Sequence, residues 1–300
     1  HNTFVVMTAG ISVDRTIEIP ERGVCWSTAQ NPKITDIVKT AGAGSGEYEN
    51  IITGLSADNM YYIRAYARNT NGVYYSNTVQ LKTLKEPNFG TVSDADGNKY
   101  KTVVIGNQTW MAENLRTTSF SDGSPIQLKE DSSGWRTAKT SLYCSFNNRT
   151  DAEFIEKYGL LYNKYAVIDA KNVCPTGWHV PTTVEWDTLR NYLIGNNYGM
   201  YGSSSTNMIA KTLSSTSDWT ESYTDGYNGY KPQFNNSSGF DAKPAGYRYN
   251  NGTYHYLHNG GCWWSSTSAD YVYLNYIINT MEKSTEANSL GFSVRCVKNN

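Results

Sequence analysis

The chain has 300 residues and a formal net charge of −1, and acidic and basic residues balance on both sides of residue 86. This length favours two domains, and the balanced charge argues against nucleic-acid binding, because no basic face would neutralise phosphates. No apolar run reaches the roughly 18 residues that a membrane-spanning helix needs. The 24 Tyr and 8 Trp, set among Asn, Ser, Thr and Gly, are typical of β-rich domains with polar binding loops.

The first part of the chain, residues 1–84, is predicted to form short strands separated by turns. In the longest strand the alternation of side chains predicts that Tyr61, Ile63, Ala65 and Ala67 face the core, with Tyr66 on the other face. The predicted strands are Phe4–Met7, Gly23–Trp26, Tyr48–Ile52, Tyr61–Arg68 and Val79–Leu81.

Three segments of this part, Arg22–Trp26, Gly54–Ser56 and Tyr61–Asn69, resemble a known module. They are similar to the fibronectin type III-like modules of Bacteroidetes surface proteins, although the first strand is shorter than expected. The resemblance implies an immunoglobulin-like β-sandwich over residues 1–84 that acts as a spacer. Residues 85–88, which include Pro87, are predicted to link it to a second domain at residues 89–300.

An acidic turn, Asp94 to Asn98, lies at the start of the second domain. Between two hydrophobic segments this turn is typical of a β-hairpin. Asp94 and Asp96 are also weak metal candidates, because calcium prefers oxygen ligands, although the late carboxylate of a calcium loop is missing. We therefore expect no cofactor, with calcium as the open alternative.

Two capping boxes predict helices in the second domain. Thr150–Glu153 would begin a helix that Gly159 ends, and Thr182–Glu185 would begin a second that Gly195 ends. The second helix would bury Trp186, Leu189 and Leu193. A short helix is predicted over residues 208–213, long loops with short strands up to residue 262, and closing strands over residues 271–278 and 291–297.

Ordered motifs run through nearly all of residues 89–298. They are Asp96–Gly97, Tyr100–Val103, Ile105–Leu115, Tyr143–Cys144, Tyr158–Tyr162, Cys174–Pro181, Gly239–Phe240, Pro244–Arg248, Trp263–Ser266 and Ser293–Lys298. In this order they resemble the Fibrobacter succinogenes major paralogous domain. A second set consists of Gly177–Thr182, Glu185–Trp186, Trp264–Ser266 and Gly291–Arg295. It bears a fainter resemblance to formylglycine-generating enzymes, which implies an α+β fold of C-type-lectin-like character, although a fold alone does not determine function.

The five cysteines exclude some chemistry. Cys174 and Cys296 each lie in a marked motif of the large domain, so we expect a disulfide between them, whereas the pairing of Cys144 and Cys262 stays open. Formylglycine-generating enzymes hold copper with two cysteines near the C-terminus, and this chain has Cys296 alone there. The resemblance therefore implies a protein that is not an enzyme, and we assign no catalytic residue.

Tyrosines between residues 198 and 256 are the candidate ligand-binding residues, because aromatic faces in loops pack on sugar rings or peptide side chains. The wider set also contains Tyr198 and Tyr201. Four other tryptophans, Trp178, Trp186, Trp263 and Trp264, are assigned to the core. The leading candidates are Trp219, Tyr223, Tyr227, Tyr230, Tyr247, Tyr249, Tyr254 and Tyr256.

The function expected from these observations is ligand binding at a bacterial surface. We expect a secreted lipoprotein of the Bacteroidetes type, held at the outer membrane by an anchor outside this chain, that binds a glycan or a peptide. One alternative is an accessory subunit that contacts an outer-membrane transporter or another surface protein in nutrient uptake or adhesion. The other is a hydrolase whose site the sequence does not reveal.

Overall fold

The computed structural model describes residues 4–12, 17–199 and 207–299. The chain divides into two compact units, His1–Glu86 and Pro87–Asn300, and both are rich in β-strands. It is therefore a β-rich protein of more than one domain. None of the helices in the described part of the chain is long and apolar enough to cross a bilayer.

The N-terminal unit consists of two sheets. One pairs β1 with β4, and the other has the order β3-β2-β5-β6, with β7 also paired to β5. Two of these strands, β3 and β6, were not predicted from the sequence. The strands are β1 (Phe4–Ile11), β2 (Glu21–Ser27), β3 (Ile37–Thr40), β4 (Gly46–Thr53), β5 (Met60–Asn69), β6 (Gly72–Tyr75) and β7 (Val79–Lys82).

The core of this unit contains Trp26, Tyr61 and Ile63, as alternation along β5 predicts. The prediction that Tyr66 faces solvent is wrong, because its side chain is only 1% exposed. Its hydroxyl donates a hydrogen bond of 2.7 Å to the carboxylate of Glu21. A tyrosine can be buried on this face because its polar tip has a partner there.

The C-terminal unit carries thirteen strands, β8 to β20, in the described residues. They form a sheet of order β14-β20-β10-β9-β8, a sheet β11-β12-β13 and a sheet β16-β15-β17-β18-β19. The strands are β8 (Asn88–Ser93), β9 (Lys99–Ile105), β10 (Gln108–Met111), β11 (Gln127–Leu128), β12 (Leu142–Cys144), β13 (Leu161–Tyr162), β14 (Trp178–His179), β15 (Ala245–Arg248), β16 (Tyr254–Leu257), β17 (Gly260–Trp264), β18 (Asp270–Asn275), β19 (Glu282–Thr285) and β20 (Val297–Lys298).

The helices of this unit are short apart from one. Both hydrogen bonds of the capping box between Thr182 and Glu185 are present. The helix that begins there buries Trp186, Leu189 and Leu193, as predicted. The first predicted cap is displaced by one residue, because the side chain of Asp151, not Thr150, accepts the hydrogen bond from the helix amide. The helices are α1 (Ser132–Thr137), α2 (Ala152–Tyr158), α3 (Lys164–Val167), α4 (Thr183–Gly195) and α5 (Ala210–Leu213).

The C-terminal segment departs from its prediction. Instead of a strand over residues 291–297, the chain forms the two-residue β20 and makes isolated bridges at Gly291, Phe292 and Ser293 to three different neighbours. These residues lie where several sheets meet, so their backbone groups bond to more than one strand. Cys296 follows them and is joined to Cys174 in a disulfide.

A buried polar network centred on Asn114 connects distant parts of the C-terminal unit. The Asn114 side-chain oxygen accepts hydrogen bonds from the indole of Trp263 at 2.8 Å and from the Arg295 guanidinium at 2.9 Å. Its amide nitrogen donates to the carbonyl of Tyr158 at 2.8 Å. Arg295 is fully buried, and it also donates to the carbonyls of Phe240 and Asp241. Burial lowers the pKa of Arg295 to about 10.

We predict that Asn114→Ala lowers the free energy of unfolding by about 3 kcal/mol, because it leaves an indole and a buried guanidinium without their shared acceptor. Chemical denaturation of the whole chain measures the change. The control is Asn88→Ala, which changes an exposed asparagine in β8 and should stay within about 0.5 kcal/mol. Equal effects of the two substitutions would contradict the role given to Asn114.

Candidate functional site

The structure separates the candidate aromatic residues into buried and exposed groups. Trp219 is a core residue at 6% exposure, and its indole donates to the hydroxyl of Ser215. Tyr254 directs its hydroxyl to Asn148 at 2.6 Å. We therefore leave Trp219 and Tyr254 out of the binding surface. Tyr201 lies outside the described residues. The four tryptophans assigned to the core, Trp178, Trp186, Trp263 and Trp264, are all buried, as predicted.

An aromatic row crosses the sheet β16-β15-β17-β18. Tyr247 lies at its centre: its ring stacks on Tyr256 at 5.8 Å between centroids and at an interplanar angle of 19°. The row spans four strands, about 14 Å at the usual strand spacing. Its successive ring contacts are Tyr249–His255 at 6.2 Å, His255–Tyr247 at 5.6 Å, Tyr247–Phe292 at 5.7 Å, Phe292–Tyr271 at 4.6 Å and Tyr271–Tyr273 at 5.8 Å.

Strand alternation in β17 directs its two tryptophans to opposite faces of the sheet, and both faces are covered at this strand. Trp263 packs into the core that contains α4, whereas Trp264 packs into the other core, on Phe292 at 4.5 Å. Tyr247 and Tyr271 pack at the margin of the second core and stay partly exposed. The row therefore combines one buried ring, Phe292, with rings that are partly or largely exposed.

Tyr256 has an unusual backbone conformation, with φ at 64°. Bulky residues rarely adopt this left-handed region, and such outliers cluster at functional sites. Gly246, next to Tyr247, also has positive φ, and a Cβ there would lie 2.5 Å from the carbonyl of His255. With this backbone conformation the Tyr256 ring stacks on Tyr247, while the Tyr256 side chain remains 47% exposed.

Charges divide between the two faces of β19. Lys283 points to the α4 side, where its ammonium pairs with Asp187 at 2.7 Å. Glu282 pairs with Tyr273 across the strands. Glu286 lies one residue beyond the end of β19 and is exposed, and its carboxylate acts electrostatically on Tyr247 and Tyr271. Two carboxylates thus lie near the tyrosines of this sheet.

Burial raises the pKa of Tyr271 to about 12, and the carboxylate of Glu286 adds to this rise. Burial also raises the pKa of Tyr247, again with a contribution from Glu286. Both phenols therefore stay neutral at physiological pH and can donate a hydrogen bond as well as accept one. A polar ligand on the row would meet hydroxyl groups and a carboxylate beside the ring faces.

A second group of candidates, Tyr223, Tyr227 and Tyr230, lies in a loop away from these ring contacts. Lys211 holds the loop, since its ammonium donates to the carbonyls of Tyr227, at 3.4 Å, and Tyr230. Burial lowers the pKa of Lys211 to about 8. Tyr223 is 85% exposed, which makes it a useful comparison residue for the row.

Lys164 supports the row from below. It is buried, its ammonium lies 5.2 Å from the centre of the Trp264 ring, and it donates to the carbonyl of Ser265. Burial lowers its pKa from the ordinary value of 10.5 to about 8. The site therefore rests on a buried cation that is held by carbonyl oxygens and an aromatic face.

We predict that Lys164 makes a contribution to the free energy of unfolding that rises with pH between about 8 and 9. In this window the unfolded chain still holds a proton that the folded chain has begun to release, so raising the pH favours the folded state. Lys164→Met should reduce the slope by about 1 kcal/mol per pH unit.

Urea denaturation at several pH values measures the slope. The control, Lys99→Met, removes an exposed lysine. A wild-type slope in the Lys164 variant would show that this amine keeps its proton throughout the window.

The acidic turn has a structural role. Asp94 accepts hydrogen bonds from the amides of Asp96 and Asn98 and from the hydroxyl of Tyr100. Asp96 accepts from Thr118, through its amide and its hydroxyl. These carboxylates fix the β8–β9 hairpin to the neighbouring loop. Across residues 4–12, 17–199 and 207–299, no three His, Cys, Asp or Glu side chains come close enough to hold a metal ion.

The histidines have local partners, and three cysteines are outside the disulfide. His179 contacts the carboxylate of Glu185 at 2.8 Å, near the start of α4. His255 contacts the hydroxyl of Thr253, whereas His258 contacts the carbonyl of Asp218, so the two imidazoles do not share a partner. The thiols of Cys25, Cys144 and Cys262 are free, and burial raises the pKa of each.

Sequence reasoning missed His255, Tyr271 and Tyr273 as members of the row. Tyr271 and Tyr273 carried a usable signal, since their spacing of two residues places both rings on one face of a strand. The place of His255 beside Tyr247 follows from strand pairing, in which the two residues lie directly opposite each other.

The structure thus defines a β-rich protein that has a disulfide within the chain and a row of partly exposed aromatic rings on one sheet. The family model of the Fibrobacter succinogenes major domain matches residues 103–298, and the chain belongs to this family. No curated protein and no solved structure gives a match.

Proposed function

We propose that the C-terminal unit binds a glycan on the aromatic row. The observation that carries the proposal is the stacking of Tyr256 on Tyr247 at the centre of a row of rings that have buried support and open faces. The flat faces of sugar rings pack on such side chains, and the neighbouring hydroxyl and carboxylate groups can bond to sugar hydroxyls.

One feature favours a glycan over a peptide, and two others support a surface that is preformed for a ligand. The row crosses four strands instead of following one free edge, which is where an extended peptide would add as a strand. The supporting rings, Phe292 and Trp264, are buried, so the surface is fixed before any ligand arrives. Tyr256 holds a costly backbone conformation that places its ring on Tyr247.

We also propose that the C-terminal unit has a C-type-lectin-like fold and that the N-terminal unit is a fibronectin type III-like spacer. Support for the first comes from α4, whose capping box and buried Trp186 match the motif shared with formylglycine-generating enzymes. Support for the second comes from β2 and β5, which contain the arginine-to-tryptophan and tyrosine-rich segments of such modules and pair along seven residues.

The protein is proposed to act without catalysis, as a lipoprotein at the outer surface of a bacterium. The disulfide supports a role without copper catalysis, because the sulfur of Cys296 is bonded to Cys174 and is not free to hold copper. The same disulfide suits an oxidising compartment outside the cytoplasm.

We predict that Tyr247→Ala weakens glycan binding by about tenfold to a hundredfold, because it removes the central ring of the row. An array of soluble oligosaccharides finds a binder, and titration of the whole chain with it gives the affinity. Tyr223→Ala is the matched control: it deletes a far more exposed tyrosine of the same unit and should leave the affinity within about twofold.

Two results would contradict the proposal. One is that no oligosaccharide on the array binds the native protein. The other is that Tyr223→Ala weakens binding as much as Tyr247→Ala does, which would place the ligand on the loop held by Lys211.

A further inference from the structure

The charged groups around the aromatic row are distributed unevenly. Two carboxylates act on the tyrosines of the row: Glu282 of β19 raises the pKa of Tyr273, and Glu286, one residue beyond the end of β19, raises those of Tyr247 and Tyr271, in each case as an addition to the larger effect of burial. The one lysine of β19 is turned away and paired with Asp187. The buried ammonium of Lys164 lies beneath Trp264, where it donates to backbone carbonyls. The open side of the row is therefore negative.

Aromatic rings increase this preference. The face of a tyrosine ring carries partial negative charge and attracts a cation, and a nearby carboxylate attracts the same cation by its own charge. Tyr271 and Tyr273 present their rings beside the carboxylates of β19, with Tyr273 directly opposite Glu282. A neutral sugar would gain from the rings alone, whereas a sugar with an ammonium group would gain from the rings and the carboxylates.

We infer that the glycan bound on the row is an amino sugar, whose free ammonium lies between the rings of Tyr271 and Tyr273 and the carboxylates of Glu282 and Glu286. This inference rests on the proposed function and narrows its ligand class. The pyranose rings of the ligand would pack on Tyr247 and Tyr256, and its ammonium group would lie on the β19 side of the row.

The test compares two probes that differ in one group. The β-1,4-linked tetramer of glucosamine carries free ammonium groups, and the tetramer of N-acetylglucosamine carries neutral amides in their place. Titration of the whole chain should show the glucosamine tetramer binding about tenfold more tightly, a difference that added salt reduces.

The matched variants isolate the carboxylates. Glu282→Gln with Glu286→Gln should remove the preference, weakening the glucosamine tetramer by about tenfold and leaving the acetylated tetramer within about twofold. Glu221→Gln changes the charge of an exposed glutamate elsewhere in the unit and should keep the preference. Circular dichroism of each variant shows whether the fold is intact.

Three outcomes would overturn the inference, and they differ in what they leave standing. If the two tetramers bind equally, or if the preference survives the double substitution, the site does not recognise an amino sugar. The proposal of a neutral glycan on the row then still stands. Tighter binding of tetralysine than of the glucosamine tetramer assigns the surface to a basic peptide. If none of these probes binds, and no oligosaccharide on the array binds either, the proposed function is also contradicted.

Discussion

The buried hydrogen bonds of Asn114 are the interaction on which the C-terminal unit depends. One side-chain oxygen accepts from Trp263 on β17 and from Arg295 near the end of the chain, and the amide nitrogen reaches the end of α2. A buried guanidinium is tolerated when oxygens satisfy its donors. The network requires residues that are 181 apart in sequence to meet, so it fixes how the sheets are arranged.

That arrangement produces the aromatic row. With Trp263 held by Asn114, alternation along β17 places Trp264 on the opposite face, where it supports Phe292 and the half-exposed rings above. The disulfide of Cys296 holds the end of the segment that carries Phe292. The surface is therefore firm because its supporting residues belong to the core, and a firm surface loses little entropy when a ligand binds.

Several buried cations occur in this unit. Lys164, Arg248 and Arg295 are all almost completely buried, and each donates to backbone carbonyls while lying near an aromatic ring. Carbonyl oxygens accept hydrogen bonds from these cations without placing a carboxylate in the core, although Nε of Arg248 has no hydrogen-bond partner among the described residues, and the rings add electrostatic attraction. Glu282 and Glu286 lie outside the core, the first partly exposed and the second exposed.

The sequence by itself determined the local structure: the capping box at Thr182, the hairpin turn at Asp94 and the alternating strand at Tyr61 all depend on neighbours in the chain, which the sequence displays. It also showed the family, through motifs that keep their order, and the pair Cys174 and Cys296. Only the tertiary structure decided which tyrosines form a surface. Trp219 and Tyr256 occur in similar polar, aromatic-rich sequence, yet one is buried and the other stacks in the open. Burial depends on contacts between residues far apart in the chain, and local composition does not encode them.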